Sequence, residues 1–277
     1  GTKLAILEMI KSGTTCFFDM YWYPEAVIKA ASEMGIRAII APAFIDAING
    51  DDKGKKALLA LLDKKLPDRI EIALGPHAIY TVSRENLVWI RDLARERNLK
   101  IHIHLSETAK EVDDCVKRFG QRPVVYLDSL NFWSSRVFAA HAIWLNAKEI
   151  EILKKNEVKL IHCPTSNMKL ASGTFPYPKF KKRQNLLLGT DGSASNNNLS
   201  LLAEMKLATL QQKLVGNDPE ILPASTIFEI ATLNPAQALN IKAGEIKEGK
   251  LADLILSDLK NISLIADHNL IYNLVYA

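Results

Sequence analysis

The feature that most constrains the fold of this chain is a repeated alternation of short apolar runs with longer amphipathic stretches. In two of those stretches the predicted helix ends are explicit: "PEAVIKAASEMG" begins at Pro24 and ends at Gly35, and "SRENLVWIRDLARERN" has Ser83 as its predicted N-cap. Apolar strands joined by helical crossovers predict a parallel sheet covered by helices. Seven runs are predicted as strands, at residues 14–20, 37–44, 70–78, 100–107, 136–143, 158–166 and 185–192.

Polar residues gather at the C-terminal ends of these predicted strands. In a (β/α)8 barrel this edge is where active sites are built. A doubly wound open sheet is the alternative, but the chain has no GxGxxG after its first strand and no P-loop. The sequence therefore predicts an α/β fold, a (β/α)8 TIM barrel with one strand still to be found. The residues at or just past a strand end are Asp19, His77, Glu107, His141, Thr165 and Asp191.

The pattern changes after residue 220. Residues 224–241, "ASTIFEIATLNPAQALNI", predict two short helices, and residues 244–259, "GEIKEGKLADLILSDL", predict a turn followed by an apolar strand. We therefore divide the chain into a barrel at 1–240 and part of a small β appendage at 241–277.

Composition excludes several classes of protein. The net charge is only +4 and the lysines are scattered, so we expect no nucleic-acid partner. No apolar run approaches the roughly 20 residues of a membrane helix, and the first residues lack the pattern of a signal peptide. Three cysteines without a CxxC pair favour a reducing compartment. We expect a cytoplasmic protein without a membrane segment.

The segment "KIHIHLSET", residues 100–108, is the strongest indication of chemistry. Strand alternation places His102 and His104 on one face, and Glu107 follows where the strand should end. A single histidine facing a core is more often structural than a ligand. Two histidines with an acid beyond them favour a metal or acid/base site, since imidazole suits zinc or iron and a nearby carboxylate can move protons.

Three further residues extend this pattern. His141 ends the apolar run "FAAHAI" and is either a buried structural histidine or part of the same site. Asp191 in "LLLGTDGSASNNN" must be paired, metal-bound or tightly hydrogen-bonded, because a lone buried charge is unstable. His77 in "GPHAIY" is a ligand, a substrate contact or a loop residue. Together these residues predict a mononuclear hydrolytic metal site, whereas the absence of PCxxC and GxSxG disfavours a cytidine-deaminase zinc site and a serine triad.

The motifs in their order along the chain resemble the amidohydrolase superfamily, and more narrowly its methylthioadenosine/S-adenosylhomocysteine deaminase branch. The resemblance covers almost the whole chain and is most specific in "HLSET", "SNMKLASG" and "GTDGSASNN". The segments that carry it are "GTTCFFDMY", "GPHAIYTVS", "HIHLSETAKEV", "AAHAIWL", "CPTSNMKLASG", "LGTDGSASNNNLSLLAEMKLA" and "NPAQALNI…GEIKEGKLADLILSDL".

The resemblance implies hydrolytic deamination at C6 of an adenine nucleoside, with one divalent metal per chain, zinc in preference to iron. His104 and Asp191 should be metal ligands, and Asp191 should also accept a proton from the attacking water. Glu107 should protonate the ring nitrogen beside the attacked carbon, and His141 should orient the water or the tetrahedral intermediate. The substrate should be contacted by His77, Glu107 and Asp191, and the contact of His77 should be with the ribose of the substrate. Self-association into a homo-oligomer is also common in the family.

The chain departs from the family in two places. The family's first barrel strand carries an H-x-H pair of ligands, which this sequence lacks. The sequence also lacks part of the family's β appendage. We therefore expect a fragment of a longer protein, and we expect no catalysis from a polypeptide that begins at Gly1. The loop after strand three lacks the arginines expected for S-adenosylhomocysteine, with Pro42 and Lys55 near those positions. Methylthioadenosine, 5′-deoxyadenosine or adenosine therefore stay alternatives, as do a guanine, pterin or chlorinated triazine substrate and an inactive nucleoside-binding barrel.

Overall fold

A computed structural model describes residues 1–180, 185–261, 264–265 and 267–277 of the chain. It divides into two compact units. The N-terminal unit comprises Gly1–Leu7 and Cys16–Leu160, and the C-terminal unit comprises Glu8–Thr15 and Ile161–Ala277.

The N-terminal unit contains alternating strands and helices in the predicted order. Its strands are β1 (Cys16–Tyr21), β2 (Arg37–Phe44), β3 (Ile70–Ile72), β4 (Gly75–Pro76), β5 (Ile101–Leu105) and β6 (Val137–His141). Its helices are α1 (Thr2–Lys11, which extends into the C-terminal unit), α2 (Pro24–Met34), α3 (Asp46–Asn49), α4 (Asp52–Leu62), α5 (Arg84–Glu96), α6 (Ala109–Phe119), α7 (Pro123–Ser129) and α8 (Ala147–Lys155).

The strands of this unit run parallel. β2 pairs with β1, β3 and β4, and the single strand predicted at 70–78 is interrupted into the latter two. β5 continues the array, because the backbone N–H of His104 donates to the carbonyl of His77 at 3.0 Å. In the β5–β6 pair, Leu105 lies opposite His141. The register therefore brings the C-terminal ends of β5 and β6 to the same edge, where the candidate residues lie.

Strand β5 is buried on both faces. Ile101, Ile103 and Leu105 are at most 2% exposed, and His102 between them is 8% exposed. An alternating pattern with one polar face is typical of a sheet that faces solvent on that side. Here both faces are buried instead, as is usual for strands of a parallel sheet. On the histidine face, the Nδ1 of His104 bonds the carbonyl oxygen of His77, whereas the Nδ1 of His102 is buried without a hydrogen-bond partner among the described residues.

The predicted helix ends are confirmed. α2 begins at Pro24 and is followed by Gly35 with φ of 77°, the left-handed conformation that glycine adopts without strain. α5 is preceded by Ser83, whose hydroxyl accepts from the backbone N–H of Asn86 at 3.3 Å.

The C-terminal unit is mainly helical. Its described strands are β7 (Lys159–His162, which begins in the N-terminal unit) and β8 (Leu186–Leu188), which are hydrogen-bonded neighbours. Its helices are α9 (Pro164–Lys169), α10 (Ser193–Asn196), α11 (Leu201–Gly216), α12 (Ala224–Ala231), α13 (Leu233–Ala238) and α14 (Leu270–Tyr276).

The end of the chain only partly follows the sequence prediction. α12 and α13 are the two short helices predicted at 224–241, but no strand forms within 244–259. A strand is stable when a neighbouring strand satisfies its backbone groups, and neither sheet of the described residues includes this segment. Leu254 and Leu256 are 55% and 100% exposed. The division of the chain at residue 240 stays a prediction.

None of the described helices is long and apolar enough to cross a membrane.

Candidate active site

His104, at the end of β5, has a defined tautomer. Its Nδ1 lies 2.9 Å from the carbonyl oxygen of His77. A carbonyl can only accept a hydrogen bond, so Nδ1 carries a proton, and in the neutral ring the lone pair lies on Nε2. This arrangement orients metal-binding histidines in proteins, because the bond at one ring nitrogen fixes the direction of the other.

His77, in the loop after β4, has the same tautomer for a different reason. Its Nδ1 lies 3.0 Å from the hydroxyl oxygen of Thr81, which itself donates to the carbonyl of Ala78. The hydroxyl proton is thus committed, and the imidazole donates from Nδ1. Burial lowers the pKa of His77, against the opposing effect of the Glu107 carboxylate. We infer a neutral His77 at pH 7, with its ring centroid 4.9 Å from that of His104.

His141 and Glu107 lie beside His104. The ring of His141 stacks on that of His104 with centroids 5.5 Å apart, and its Nε2 lies 3.8 Å from Oε2 of Glu107. His141 is 1% exposed, and both it and Ala142 have positive φ, 69° and 48°. This sharp turn ends β6 and keeps the imidazole at the strand edge. A carboxylate, a buried imidazole and an oriented imidazole therefore lie together on one edge.

His102 and Asp19 lie in the buried part of the same unit. The His102 ring contacts Phe18 edge-on at 5.0 Å. Burial, followed by the neighbouring imidazoles of His104 and His141, holds its pKa well below its usual range, so His102 is neutral. This agrees with its interpretation as a packed core histidine. Asp19 on β1 is also desolvated, and burial raises the pKa of its carboxyl to about 6.

In the C-terminal unit, Asp191 follows β8 and is held from both carboxylate oxygens. The Ser166 hydroxyl donates to Oδ2 at 2.6 Å, and the backbone N–H of Gly192 donates to Oδ1 at 2.6 Å. The residue has a positive φ of 61°. The sequence pattern predicted a carboxylate that is tightly hydrogen-bonded, paired or metal-bound at this position. Of these three alternatives, the structure shows the tight hydrogen bonds.

A buried glutamate on α11 connects helix α9, which carries Ser166, with the segment after β8 that carries Asp191. Glu204 is 1% exposed and accepts from the backbone N–H of Thr165 at 3.1 Å and from the Asn196 side chain at 2.7 Å. Asn196 also donates to the carbonyl of Thr190 at 2.7 Å. Burial raises the pKa of Glu204 in spite of these bonds. The segments after β7 and β8 are thus connected through one carboxylate.

The sequence reasoning missed Glu111, Glu204, Asn196 and Ser166. Their partners are distant in the sequence or lie in loops, so periodicity gives no signal for them. Glu111 has one local indication: it is the fourth residue of "TAKE", a capping-box pattern that begins at Thr108. Thr165, which the sequence placed at a strand end, contributes a backbone N–H.

Of the residues predicted for the site, the N-terminal unit brings together His77, His104, Glu107 and His141. Asp191 belongs to the C-terminal unit. Across the described ranges, no group of three or more His, Cys, Asp or Glu residues is arranged to hold a metal ion. His104 Nε2 and the Asp191 carboxylate fit the donor chemistry of zinc or iron.

Lys55, near the positions expected for the family's arginines, packs on an aromatic ring. Its Nζ lies 5.3 Å from the centroid of Trp89, within the range of a cation–π contact. Pro42 is the sixth residue of β2, where it pairs with Tyr21. Neither residue presents a guanidinium fork for a carboxylate.

Comparison with known proteins agrees with this architecture. The chain is 48% identical to the 5-methylthioadenosine/S-adenosylhomocysteine deaminase 1 of Archaeoglobus fulgidus, with 100% of this chain and 67% of that protein covered. It is 43% identical to the 5′-deoxyadenosine deaminase of Methanosphaera stadtmanae, with the same coverage of 100% and 67%. A solved adenosine deaminase from Xanthomonas campestris with bound zinc superposes with a TM-score of 0.95 at 37% identity, covering 100% of this chain and 65% of that one.

The chain thus spans about two thirds of the length of these relatives. Residues 1–275 match the sequence model of the family described as "Amidohydrolase family". The similarity in structure confirms the predicted (β/α)8 fold of amidohydrolase type. Because the match extends over nearly every residue, this chain belongs to the amidohydrolase family.

Proposed function

We propose that the whole protein deaminates an adenine nucleoside by hydrolysis: water replaces the amino group at C6, and ammonia leaves. The observation that carries this proposal is the cluster of Glu107, His141 and His104, with His104 fixed by the carbonyl of His77. Deamination needs a proton donor for the ring, a proton acceptor for the water and a positioned electrophilic centre. In this cluster, Glu107 supplies the proton donor, and His104 supplies part of the electrophilic centre.

Each residue has a proposed role. Glu107 gives a proton to the ring nitrogen beside C6, which makes that carbon more electrophilic. Asp191, oriented by Ser166, accepts the proton of the attacking water. His141 is a hydrogen-bonding partner for the oxygen that adds to the ring, and His77 contacts the ribose.

We propose one divalent metal per chain, zinc in preference to iron, held in part by His104 and Asp191. When bound, such a metal lowers the pKa of water and acts as a Lewis acid. The enzymes that match the chain are named for methylthioadenosine, S-adenosylhomocysteine and 5′-deoxyadenosine. Because Pro42 and Lys55 stand near the positions expected for the arginines and Lys55 packs on Trp89, we favour substrates without a carboxylate at the 5′ position.

The test is a substrate panel with a matched pair of variants. The panel contains adenosine, 5′-deoxyadenosine, methylthioadenosine, S-adenosylhomocysteine, guanine, a pterin and a chlorinated triazine, and ammonia release is measured. Glu107→Gln should lower kcat by about 100- to 10,000-fold, the range for loss of a general acid. Glu96→Gln, at an exposed position on α5, is the control and should leave kcat unchanged.

Metal content is measured on the same samples. About one metal per chain with turnover of an adenine nucleoside supports the proposal. Turnover of only the guanine, pterin or triazine would assign a different substrate, and folded protein that binds nucleoside without metal or turnover would make it a binding protein. A cytoplasmic location, a homo-oligomer and the absence of a nucleic-acid partner stay predictions from the sequence.

A further inference from the structure

Glu111 on α6 accepts hydrogen bonds from the backbone of the residues that lead out of β5. Its Oε1 accepts from the N–H of Ser106 at 2.8 Å, and its Oε2 accepts from the N–H of Glu107 at 2.8 Å. The side chain is 8% exposed. Each carboxylate oxygen therefore accepts from one of two successive backbone N–H groups. Hydrogen bonds to a charged acceptor are stronger than hydrogen bonds between neutral groups.

This geometry departs from the ordinary cap of a helix. In α8, Asn146 and Glu149 form a capping box, and the Glu149 carboxylate accepts from the N–H of Asn146 itself at 3.0 Å. In α6, the Thr108 hydroxyl accepts from the N–H of Glu111, as the Asn146 side chain in α8 accepts from the N–H of Glu149. The Glu111 carboxylate, however, bonds the two residues before the cap instead of the cap. It therefore fixes the loop rather than only the helix end.

The loop needs such support because its backbone is strained. Ser106 has a φ of 47°, a left-handed conformation that is unfavourable for a residue with a side chain. The carbonyl of Ser106 is also bound: it accepts from the N–H groups of Ile143 and Trp144 at 3.1 and 3.0 Å. The turn at Ser106 is thus held between α6 and the loop that follows His141 at the end of β6.

The direction of the Glu107 side chain follows from this turn. With its N–H bound by Glu111, Glu107 leaves the strand so that its carboxylate reaches 3.8 Å from Nε2 of His141. A proton donor is effective only when it lies within hydrogen-bonding reach of the atom that it protonates, so a small rotation of this backbone would separate the acid from the ring.

We propose that Glu111 is a positioning residue, which holds Glu107 in the orientation required for protonation of the substrate ring. This inference rests on the proposed function. Glu111 acts through the backbone of Ser106 and Glu107 and does not itself contact the substrate.

The experiment is a double-mutant cycle in the whole, metal-loaded protein. Glu111→Gln keeps the size of the side chain but turns one acceptor into an N–H donor that faces a backbone N–H. We expect kcat to fall by about 10- to 100-fold, the range seen when supporting partners of a site are removed, with KM changed by less than about threefold. In a Glu107→Gln background, the same substitution should change the residual kcat by less than about twofold.

Two further variants separate positioning from simple loss of structure. Asp113→Asn, at an exposed position on the same helix, is the matched control and should leave kcat unchanged. Glu111→Asp keeps the charge but shortens the reach by one methylene, and should give an intermediate kcat. An equal loss of kcat in the wild-type and Glu107→Gln backgrounds would overturn the inference, because it would mean that Glu111 supports the fold in general.

Amide hydrogen exchange gives a readout that does not depend on turnover. In Glu111→Gln, exchange at Ser106 or Glu107 should accelerate by about tenfold, as expected for loss of one hydrogen bond. Exchange in β6 should be unchanged. Unchanged exchange at both residues would refute the positioning role even if kcat falls. If the wild-type protein deaminates no nucleoside, the proposed function fails, and accelerated exchange would still show that Glu111 holds this loop.

Discussion

The buried carboxyl of Glu111 should link the stability of the protein to pH. Burial raises its pKa from 4.5 to about 7, against the effect of the two backbone N–H groups, which favour the charged form. We predict that the difference in unfolding free energy between the wild type and Glu111→Gln depends on pH between about 4 and 8. The glutamine does not titrate, so the difference isolates this carboxyl from Asp19 and the other groups.

The size and sign follow from the pKa. A rise from 4.5 to about 7 corresponds to about 3 kcal/mol, at about 1.4 kcal/mol per pKa unit. The folded protein binds this proton more tightly than the unfolded chain does. The contribution of protonated Glu111 is therefore fully present below pH 4.5 and is lost as the pH rises through about 7. The unfolding free energy of the wild type, relative to Glu111→Gln, should fall by about 3 kcal/mol over that interval.

The assay is urea unfolding followed by the fluorescence of the four tryptophans, at several pH values. Asp113→Asn, on the exposed side of α6, should show no such trend relative to the wild type. A difference that grows with rising pH would refute the reasoning, because it would mean that the two backbone hydrogen bonds outweigh desolvation. A difference that is constant with pH would show that the pKa of Glu111 is the same in the folded and unfolded states.

Substitutions at three further positions test separate parts of the structure. Ile103→Ala, at a fully buried position of β5, should lower the unfolding free energy by about 2–5 kcal/mol in urea unfolding, and Ile103→Val by about 1 kcal/mol. Ser83→Ala removes the N-cap of α5 and should lower it by about 0.5–2 kcal/mol, whereas Ser83→Asp should retain most of the stability. Ser166→Ala removes the donor to Asp191 and should lower kcat by about 10- to 100-fold in a steady-state assay; an unchanged kcat would show that the Gly192 N–H alone orients the carboxylate.

Local patterns in the sequence were sufficient for the strands and most helix ends. Strand alternation in "KIHIHLSET" placed His102 and His104 on one strand with Glu107 beyond its end, and the N-cap at Ser83 and the C-cap at Gly35 were read from single residues. These features depend on the residue itself and on neighbours within one turn. The apolar pattern at 244–259 was insufficient, because a strand also needs a partner that a local pattern cannot supply.

The sequence by itself therefore determined the order of elements, the faces of the strands and the kinds of side chain at their ends. Only the tertiary structure decided how those side chains are held. The tautomer of His104 depends on a carbonyl 27 residues away, and the orientation of Asp191 depends on a hydroxyl 25 residues away. Such bonds form only after the register of neighbouring strands and the paths of their loops are set. Glu111 lies only four residues from Glu107, yet its reach past the helix cap depends on the left-handed turn at Ser106.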